Sequence, residues 1–247
     1  FRYKPLNQLN LQIGQFKVPF AIENELIGPT TFEFIEYSYI TTYFSRNNAK
    51  YDGIASTGRD IGVQLYGGFL KNEEEGYNII NYNVALFNGK GINVKDTNSS
   101  KDIVARLMIK PFKDLSLSGS YMYAETNHNN VTYMKSPRWS VGAWYNSRHW
   151  IARAEYAQAQ FGNVNAESLY AMAGYNFEKP WSIVARYEFI SDNTNNILNE
   201  ERITIGCVYK PYKFLRLQLN ATSVMSHIPA TIVKNPFGVN LLVSAIF

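Results

Sequence analysis

Six arginines stand at alternate positions of short segments whose intervening positions are mostly aliphatic or aromatic. They are Arg106, Arg138, Arg153, Arg186, Arg202 and Arg216. Alternate residues of an extended strand point to opposite faces, so these arginines face away from the apolar side. A guanidinium group is planar, permanently charged and suited to phosphate and carboxylate, which makes all six candidates for contacting anions. They could equally brace a wall by pairing with the carboxylates in the same phase, Asp102, Glu155 and Glu188. Because the arginines outnumber these carboxylates, the sequence favours a positive surface.

Catalytic and cofactor-binding arrangements are not apparent in the sequence. The three histidines, His128, His149 and His227, have neither Ser/His/acid nor metal-ligand spacing. The stretch Gly89-Lys90-Gly91 lacks the spacing of a phosphate-binding P-loop. A net charge of +4 is too small and too dispersed to indicate nucleic-acid binding. The sequence therefore predicts a protein that is not an enzyme and has no cofactor, no metal site and no nucleic-acid partner.

The elements that must position the arginines are short strands. The segment Gly238–Phe247 alternates between apolar residues and Asn240 or Ser244, and about ten residues of tilted strand cross a bilayer. The sequence contains no uninterrupted apolar run near the length of a transmembrane helix, about eighteen residues. It predicts an all-β, antiparallel transmembrane β-barrel. The predicted strands, about twelve in this chain, lie near residues 6–16, 60–69, 79–87, 101–110, 114–124, 137–145, 149–158, 167–177, 181–190, 201–210, 213–223 and 238–247.

Three Lys-Pro pairs predict tight turns at one rim of the barrel. Lys4-Pro5, Lys110-Pro111 and Lys210-Pro211 each precede the pattern x-x-x-Leu-x-Leu. Proline cannot donate to a strand ladder, so each pair is expected between two strands. If the C-terminus is periplasmic, these turns are periplasmic too, and the long connections lie outside the cell. These connections are residues 17–58, 88–100, 125–136 and 224–237.

The longest connection, residues 17–58, is rich in aromatic and aliphatic residues. Loops of this length are uncommon unless they have a function. The favoured interpretation is a constriction folded into the lumen, and the alternative is an external lid or interaction surface. Inside the lumen, the connection and its border would bring three basic residues to solute, Arg46, Lys50 and Arg59. Glu33 and Glu36 would partly offset their charge.

The whole chain, residues 1–247, is predicted to be a single barrel domain. Its first residues, Phe1-Arg2-Tyr3-Lys4-Pro5, match Cys207-Val208-Tyr209-Lys210-Pro211 in pattern. Phe1 and Tyr3 are therefore expected in the tail of a strand whose earlier part lies outside this chain. The expectation is the C-terminal portion of a larger barrel.

Several motifs together resemble one family. They are Gly14-Gln15-Phe16-Lys17-Val18-Pro19-Phe20, Phe34-Ile35-Glu36, Gly58-Arg59-Asp60-Ile61-Gly62-Val63, Phe87-Asn88-Gly89-Lys90-Gly91 and Ala185-Arg186-Tyr187-Glu188. Over nearly the whole length the sequence resembles the phosphate-selective porin O and P family, in particular its Bacteroidetes-type members. The resemblance implies a 16-stranded trimeric porin of the bacterial outer membrane, with an arginine-rich anion path and an inward-folded loop. About four strands would then lie outside this chain.

Two functions follow from these observations. The first is a porin for passive diffusion of small anions such as phosphate through an arginine-lined lumen. The second is a non-conducting barrel that serves as a docking subunit of an outer-membrane complex. Small outward residues on four consecutive strands could contact a partner, in a homotrimer or a hetero-complex, or could simply be tolerated in the bilayer. They are Ala143, Ala152, Ala154, Ala171, Ala173 and Ala185.

Overall fold

A computed structural model describes residues 1–28, 30–45, 58–89, 91–93, 100–128, 132–178, 180–194, 198–227 and 236–245. Within these ranges the chain is almost entirely β-structure, with one short helix, α1 (Ile22–Glu25), and one π-helical turn (Ile40–Ser45). The strands are β1 (Arg2–Tyr3), β2 (Asn10–Lys17), β3 (Arg59–Asn72), β4 (Tyr77–Phe87), β5 (Asp102–Phe112), β6 (Leu115–Tyr123), β7 (Glu125–His128), β8 (Thr132–Lys135), β9 (Arg138–Asn146), β10 (Trp150–Phe161), β11 (Val164–Asn176), β12 (Trp181–Asp192), β13 (Asn199–Tyr212), β14 (Leu215–Ser226) and β15 (Phe237–Ala245).

Thirteen of these strands form one antiparallel sheet in chain order, in which β6 pairs with β9. Strands β7 and β8 lie between β6 and β9 in the chain and form a separate hairpin. Each strand is hydrogen-bonded to its neighbours along the sheet, which is the meander of an up-and-down barrel. The predicted fold class, an antiparallel transmembrane β-barrel, is confirmed. All twelve predicted strands are present, and β1, β7 and β8 are additional.

Two of the three Lys-Pro pairs lie before the turn rather than in it. Pro111 and Pro211 belong to the last residues of β5 and β13, at places where the register of the ladder shifts. The physical reason is that a bulge leaves one residue unpaired, so a proline there breaks no ladder hydrogen bond. Lys4-Pro5 lies between β1 and β2, as predicted. The turn between β3 and β4 is tighter than the sequence suggested, because the strands extend to Asn72 and from Tyr77.

The two faces of the sheet differ sharply. In β5, for example, Ile103 and Leu107 are exposed while Val104 and Arg106 are buried. The exposed face is aliphatic and aromatic along nearly every strand, as expected of a surface that contacts lipid. The opposite face, called here the interior face, carries the arginines and most of the buried polar residues.

The hydrophobic core lies between the interior face and residues 18–45, called here the inner segment. Phe20, Ile40 and Phe44 of this segment have no exposed surface. They belong to one cluster with wall residues such as Phe161 and Tyr170. Among the described residues, no helix is long and apolar enough to span a membrane.

Candidate functional site

The inner segment leaves and rejoins the sheet through a narrow neck. The Val18 amide donates to the Gly58 carbonyl at 3.0 Å. The Asn24 amide Nδ2 donates to both the Val18 and Gly58 carbonyls, at 2.9 and 3.2 Å. Gly58 has a positive φ of 64°, and a Cβ there would collide with Asn24. Glycine at position 58 therefore lets the chain close the neck and enter β3.

Side chains of strand β14 hold the middle of the inner segment by hydrogen bonds to the backbone of that segment. Arg216 Nη1 donates to the Thr30 carbonyl at 2.7 Å, and Nη2 donates to the Phe32 carbonyl. Gln218 Nε2 also donates to Phe32, at 3.1 Å. The Asn220 Oδ1 accepts from the Ile35 amide at 2.8 Å. Since the inner segment is not paired into a sheet here, these side chains satisfy backbone groups that would otherwise be buried without partners.

Strands β12 and β13 hold the next part through two arginines and one shared carboxylate. Arg186 Nη2 donates to the Glu36 carbonyl at 3.0 Å, and Arg202 Nη2 to the Tyr37 carbonyl at 2.8 Å. Glu188 accepts from Arg202 Nε at 2.7 Å and from the Tyr39 amide, also at 2.7 Å, and forms an ion pair with Arg186 at 2.9 Å. Glu188 thus links the two arginines of the wall to the Tyr39 amide of the inner segment.

Tyr39 ends this junction on the side of β13. Burial, together with the carboxylates of Glu200 and Glu188, raises the pKa of the Tyr39 hydroxyl well above its ordinary value, although Arg202 acts in the opposite direction. The protonated hydroxyl donates to Glu200 at 3.2 Å. The guanidinium of Arg202 lies 4.4 Å from the centroid of the Tyr39 ring. This cation–π contact further stabilises the position of the inner segment.

Strand β10 contacts the inner segment near α1. Both carboxylate oxygens of Glu155 accept from the Ile22 amide, at 3.1 and 3.0 Å. Arg153 lies 3.5 Å from Glu23 and 3.2 Å from Glu33, both in the inner segment. Glu23 in turn accepts from the Ser38 amide at 2.8 Å, which ties α1 to a later part of the segment.

Two further arginines bind the ends of the inner segment. Arg106 of β5 pairs with Glu25 at 2.6 Å and also donates to Asn83 at 2.9 Å. Arg138 of β9 donates to the Phe44 carbonyl at 2.6 Å. All six predicted arginines therefore lie on the interior face, and each bonds to the inner segment.

These contacts change the charge balance inferred from the strands. Four carboxylates of the inner segment lie within ion-pair distance of the arginines: Glu23, Glu25, Glu33 and Glu36. A net positive interior is therefore not supported, because a buried arginine is stable only when a partner compensates its charge. The sequence signal for this was present, since glutamates interrupt an otherwise apolar segment, but their partners lie on distant strands of the wall.

The three remaining predicted site residues have different positions. Arg59 begins β3 exposed, on the same outward face as Ile61 and Leu65, so the prediction that it faces the pore is wrong. The physical reason is strand alternation, which gives the interior position to its neighbour Asp60. Asp60 accepts from the Gly89 amide at 2.6 Å. Arg46 and Lys50 lie outside the described residues.

The histidines and acidic residues suggest no metal centre in the described ranges, where no cluster of three or more His, Cys, Asp or Glu side chains could hold an ion. His149 stacks on Tyr175, with ring centroids 5.9 Å apart. His227 lies 3.4 Å from Glu201, and both are partly exposed. The absence of an enzymatic activity stays a prediction.

Comparisons with known proteins identify the fold. No family model and no curated protein sequence matches the chain. An anion-selective porin from Comamonas acidovorans is similar in structure, with a TM-score of 0.67 and 16% identity over 97% of this chain and 70% of that one. The outer-membrane protein OmpT of Vibrio cholerae is also similar, with a TM-score of 0.61 and 12% identity over 96% of this chain and 76% of that one. A trimeric form of the same OmpT gives a TM-score of 0.58 at 12% identity, over 95% of this chain and 76% of that one. The fold is that of a porin-like barrel.

At these identities the likeness concerns the fold alone. The resemblance to the phosphate-selective porin O and P family stays a prediction, and so do the trimer and the additional strands. What the site itself can do follows from its geometry. The interior polar residues fix the inner segment against the interior face of the sheet.

Proposed function

We propose that this chain forms the wall and the constriction of a bacterial outer-membrane porin for small hydrophilic solutes, with anions such as phosphate as the favoured class. The observation that carries the proposal is the set of bonds between the inner segment and the interior face. Arg138, Arg186 and Arg216 attach it to three different strands. A segment fixed in this way is suited to narrowing a channel to a defined width.

The anion preference depends on a balance of charges. The six arginines are almost completely buried, so they act on a passing solute mainly through their field rather than by contact. Glu23, Glu25, Glu33 and Glu36 reduce this field. The name of the similar Comamonas porin supports an anion-conducting role. Because these carboxylates leave no clear positive excess in the interior, the proposed anion preference rests on that likeness. We expect it to be modest, visible at low salt and weaker at high salt, where the Debye length is short.

Reversal potentials in planar bilayers across a tenfold KCl gradient test this proposal. Glu25 and Arg106 provide a matched pair, because they bind each other and their removal changes the charge in opposite directions. Glu25→Gln should increase the anion preference, and Arg106→Gln should decrease it. A cation-selective wild type would contradict the anion preference. A correctly folded protein that carries no current would contradict the porin itself.

The second candidate is a non-conducting docking subunit. The small outward residues form a continuous patch, because Ala154 pairs with Ala143 and Ala171, and Ala173 pairs with Ala152 and Ala185. A flat patch of this kind allows close approach of another protein, either another copy of the chain or a different partner. Absence of current together with a stable complex in native gels would favour this candidate.

A further inference from the structure

The inner segment carries charge of one sign only. Its charged residues are the glutamates Glu23, Glu25, Glu33 and Glu36, and it contains no lysine, arginine or histidine. The exposure of these side chains differs greatly. The Glu23 side chain is fully buried, those of Glu33 and Glu25 are 13% and 24% exposed, and that of Glu36 is 55% exposed. Because the wall covers one side of the segment, the exposed carboxylate of Glu36 lies on the side away from the wall.

The arginines of the wall are hidden by comparison. None of the six interior arginines is more than 8% exposed. A solute that passes the inner segment therefore has little access to a guanidinium group. Among the groups that form the ion pairs between wall and segment, the Glu36 carboxylate is the one most open to contact.

The surroundings of Glu36 are not positive either. Arg202 Nη1 lies 2.8 Å from Glu36, and Arg202 and Arg186 share Glu188. Glu200 is a further carboxylate of this junction, bonded to a tyrosine hydroxyl of the segment. Three carboxylates thus face two guanidinium groups at the place where β12 and β13 meet the inner segment. The exposed side of this junction is therefore negative.

We propose that Glu36 is the charged residue that a solute contacts at the constriction, and that its carboxylate limits the preference for anions. This inference rests on the proposed porin function. A carboxylate can only accept hydrogen bonds, so it attracts cations and hydroxyl groups and repels phosphate. Arg202 does not reverse this effect, because its charge is buried and is shared between Glu36 and Glu188.

Reversal potentials of the full chain in planar bilayers test the effect of this charge. Glu36→Gln removes the charge but keeps an oxygen that can accept from Arg202, which also retains Glu188 and the Tyr37 carbonyl. The ratio of anion to cation permeability should rise about three-fold at 0.1 M salt. Glu74→Gln, in the exposed turn between β3 and β4, is the matched control and should leave the ratio unchanged.

Thiol labelling tests the contact without depending on the current. In a Cys207→Ser background, Glu36→Cys should react with a methanethiosulfonate reagent that carries a sulfonate. The negative charge added by this reagent should return the permeability ratio to the wild-type value. Ser38→Cys is the buried control, because Ser38 has no exposed surface, and it should react far more slowly. Mass spectrometry measures the labelling.

Two results would overturn the proposal. An unchanged permeability ratio in Glu36→Gln would show that this charge does not act on the permeating ions. Labelling that is no faster at position 36 than at position 38 would show that Glu36 is not the accessible carboxylate. A conducting wild type with either result contradicts the role of Glu36 alone. A folded protein that carries no current contradicts the porin, and with it any effect of Glu36 on selectivity.

Discussion

At the scale of single residues, the interior arginines act as anchors for a backbone that has no strand partner. A guanidinium group offers several N–H donors in a fixed plane, so one side chain can satisfy two nearby carbonyls. Arg216 does this for Thr30 and Phe32. Lysine carries a similar charge but presents it as a compact point, which cannot reproduce this geometry.

Replacing Arg216 should therefore loosen the inner segment. Arg216→Ala would leave the Thr30 and Phe32 carbonyls without this donor, and hydrogen bonds to charged groups contribute about 1.5 to 3 kcal/mol each. We expect noisier single-channel current and faster proteolysis within residues 18–45, and Arg216→Lys should recover little. Lys213→Ala, in the exposed turn before β14, is the control. Current and proteolysis identical to wild type would contradict the anchoring role.

The sequence predicted the position of these arginines but not their partners. Strand alternation is local, so the interior phase of Arg153 or Arg186 could be inferred from its neighbours. Their partners, Glu23 and Glu33, are in a segment with no regular period, so nothing in the sequence indicates which arginine each glutamate meets. Arg59 is the exception. Its predicted contact with solute depends on its position beside the long connection, whereas the alternation of residues in β3 places it on the outward face.

At the scale of elements, the inner segment forms a layer packed on the interior face of the sheet. Its aromatic residues meet apolar wall residues, as Phe44 meets Phe161 with ring centroids 5.8 Å apart. Its backbone polar groups meet the charged residues between them. Apolar and charged contacts thus alternate along the segment, which explains a sequence that is aromatic yet interrupted by glutamates.

A disulfide can test the position of this element. The Ile35 amide and the Asn220 side chain are 2.8 Å apart, so Ile35→Cys with Asn220→Cys, in a Cys207→Ser background, should crosslink on oxidation. The loss of free thiols measures the reaction. Ile35→Cys with Ser120→Cys, whose second position lies on the interior face of β6, should not close. If the segment is instead an external lid, neither pair will react.

At the scale of the whole molecule, alternation was enough to place twelve strands, because one face meets lipid and the other meets polar groups. The hairpin of β7 and β8 was missed because it is separate from the main sheet and has short, mostly polar strands with no apolar stripe. The turn chemistry was only partly predictable. A proline marks the end of a strand, but whether it occupies the turn or the bulge before it depends on the register of the partner strand.

The orientation of the barrel is the remaining prediction at this scale. The turns after the Lys-Pro strands all lie at one end of the sheet, and the connection between β12 and β13 lies at the other, because consecutive antiparallel strands reverse direction. In porin-type barrels the short turns are periplasmic. In a Cys207→Ser background, Asn193→Cys should therefore react with an impermeant maleimide on intact cells, and Lys213→Cys should react only after the outer membrane is permeabilised. Both positions are exposed, so access to solvent does not explain a difference. The reverse pattern of labelling would invert the orientation and place the neck of the inner segment at the periplasmic side, while leaving the strand pairing unchanged.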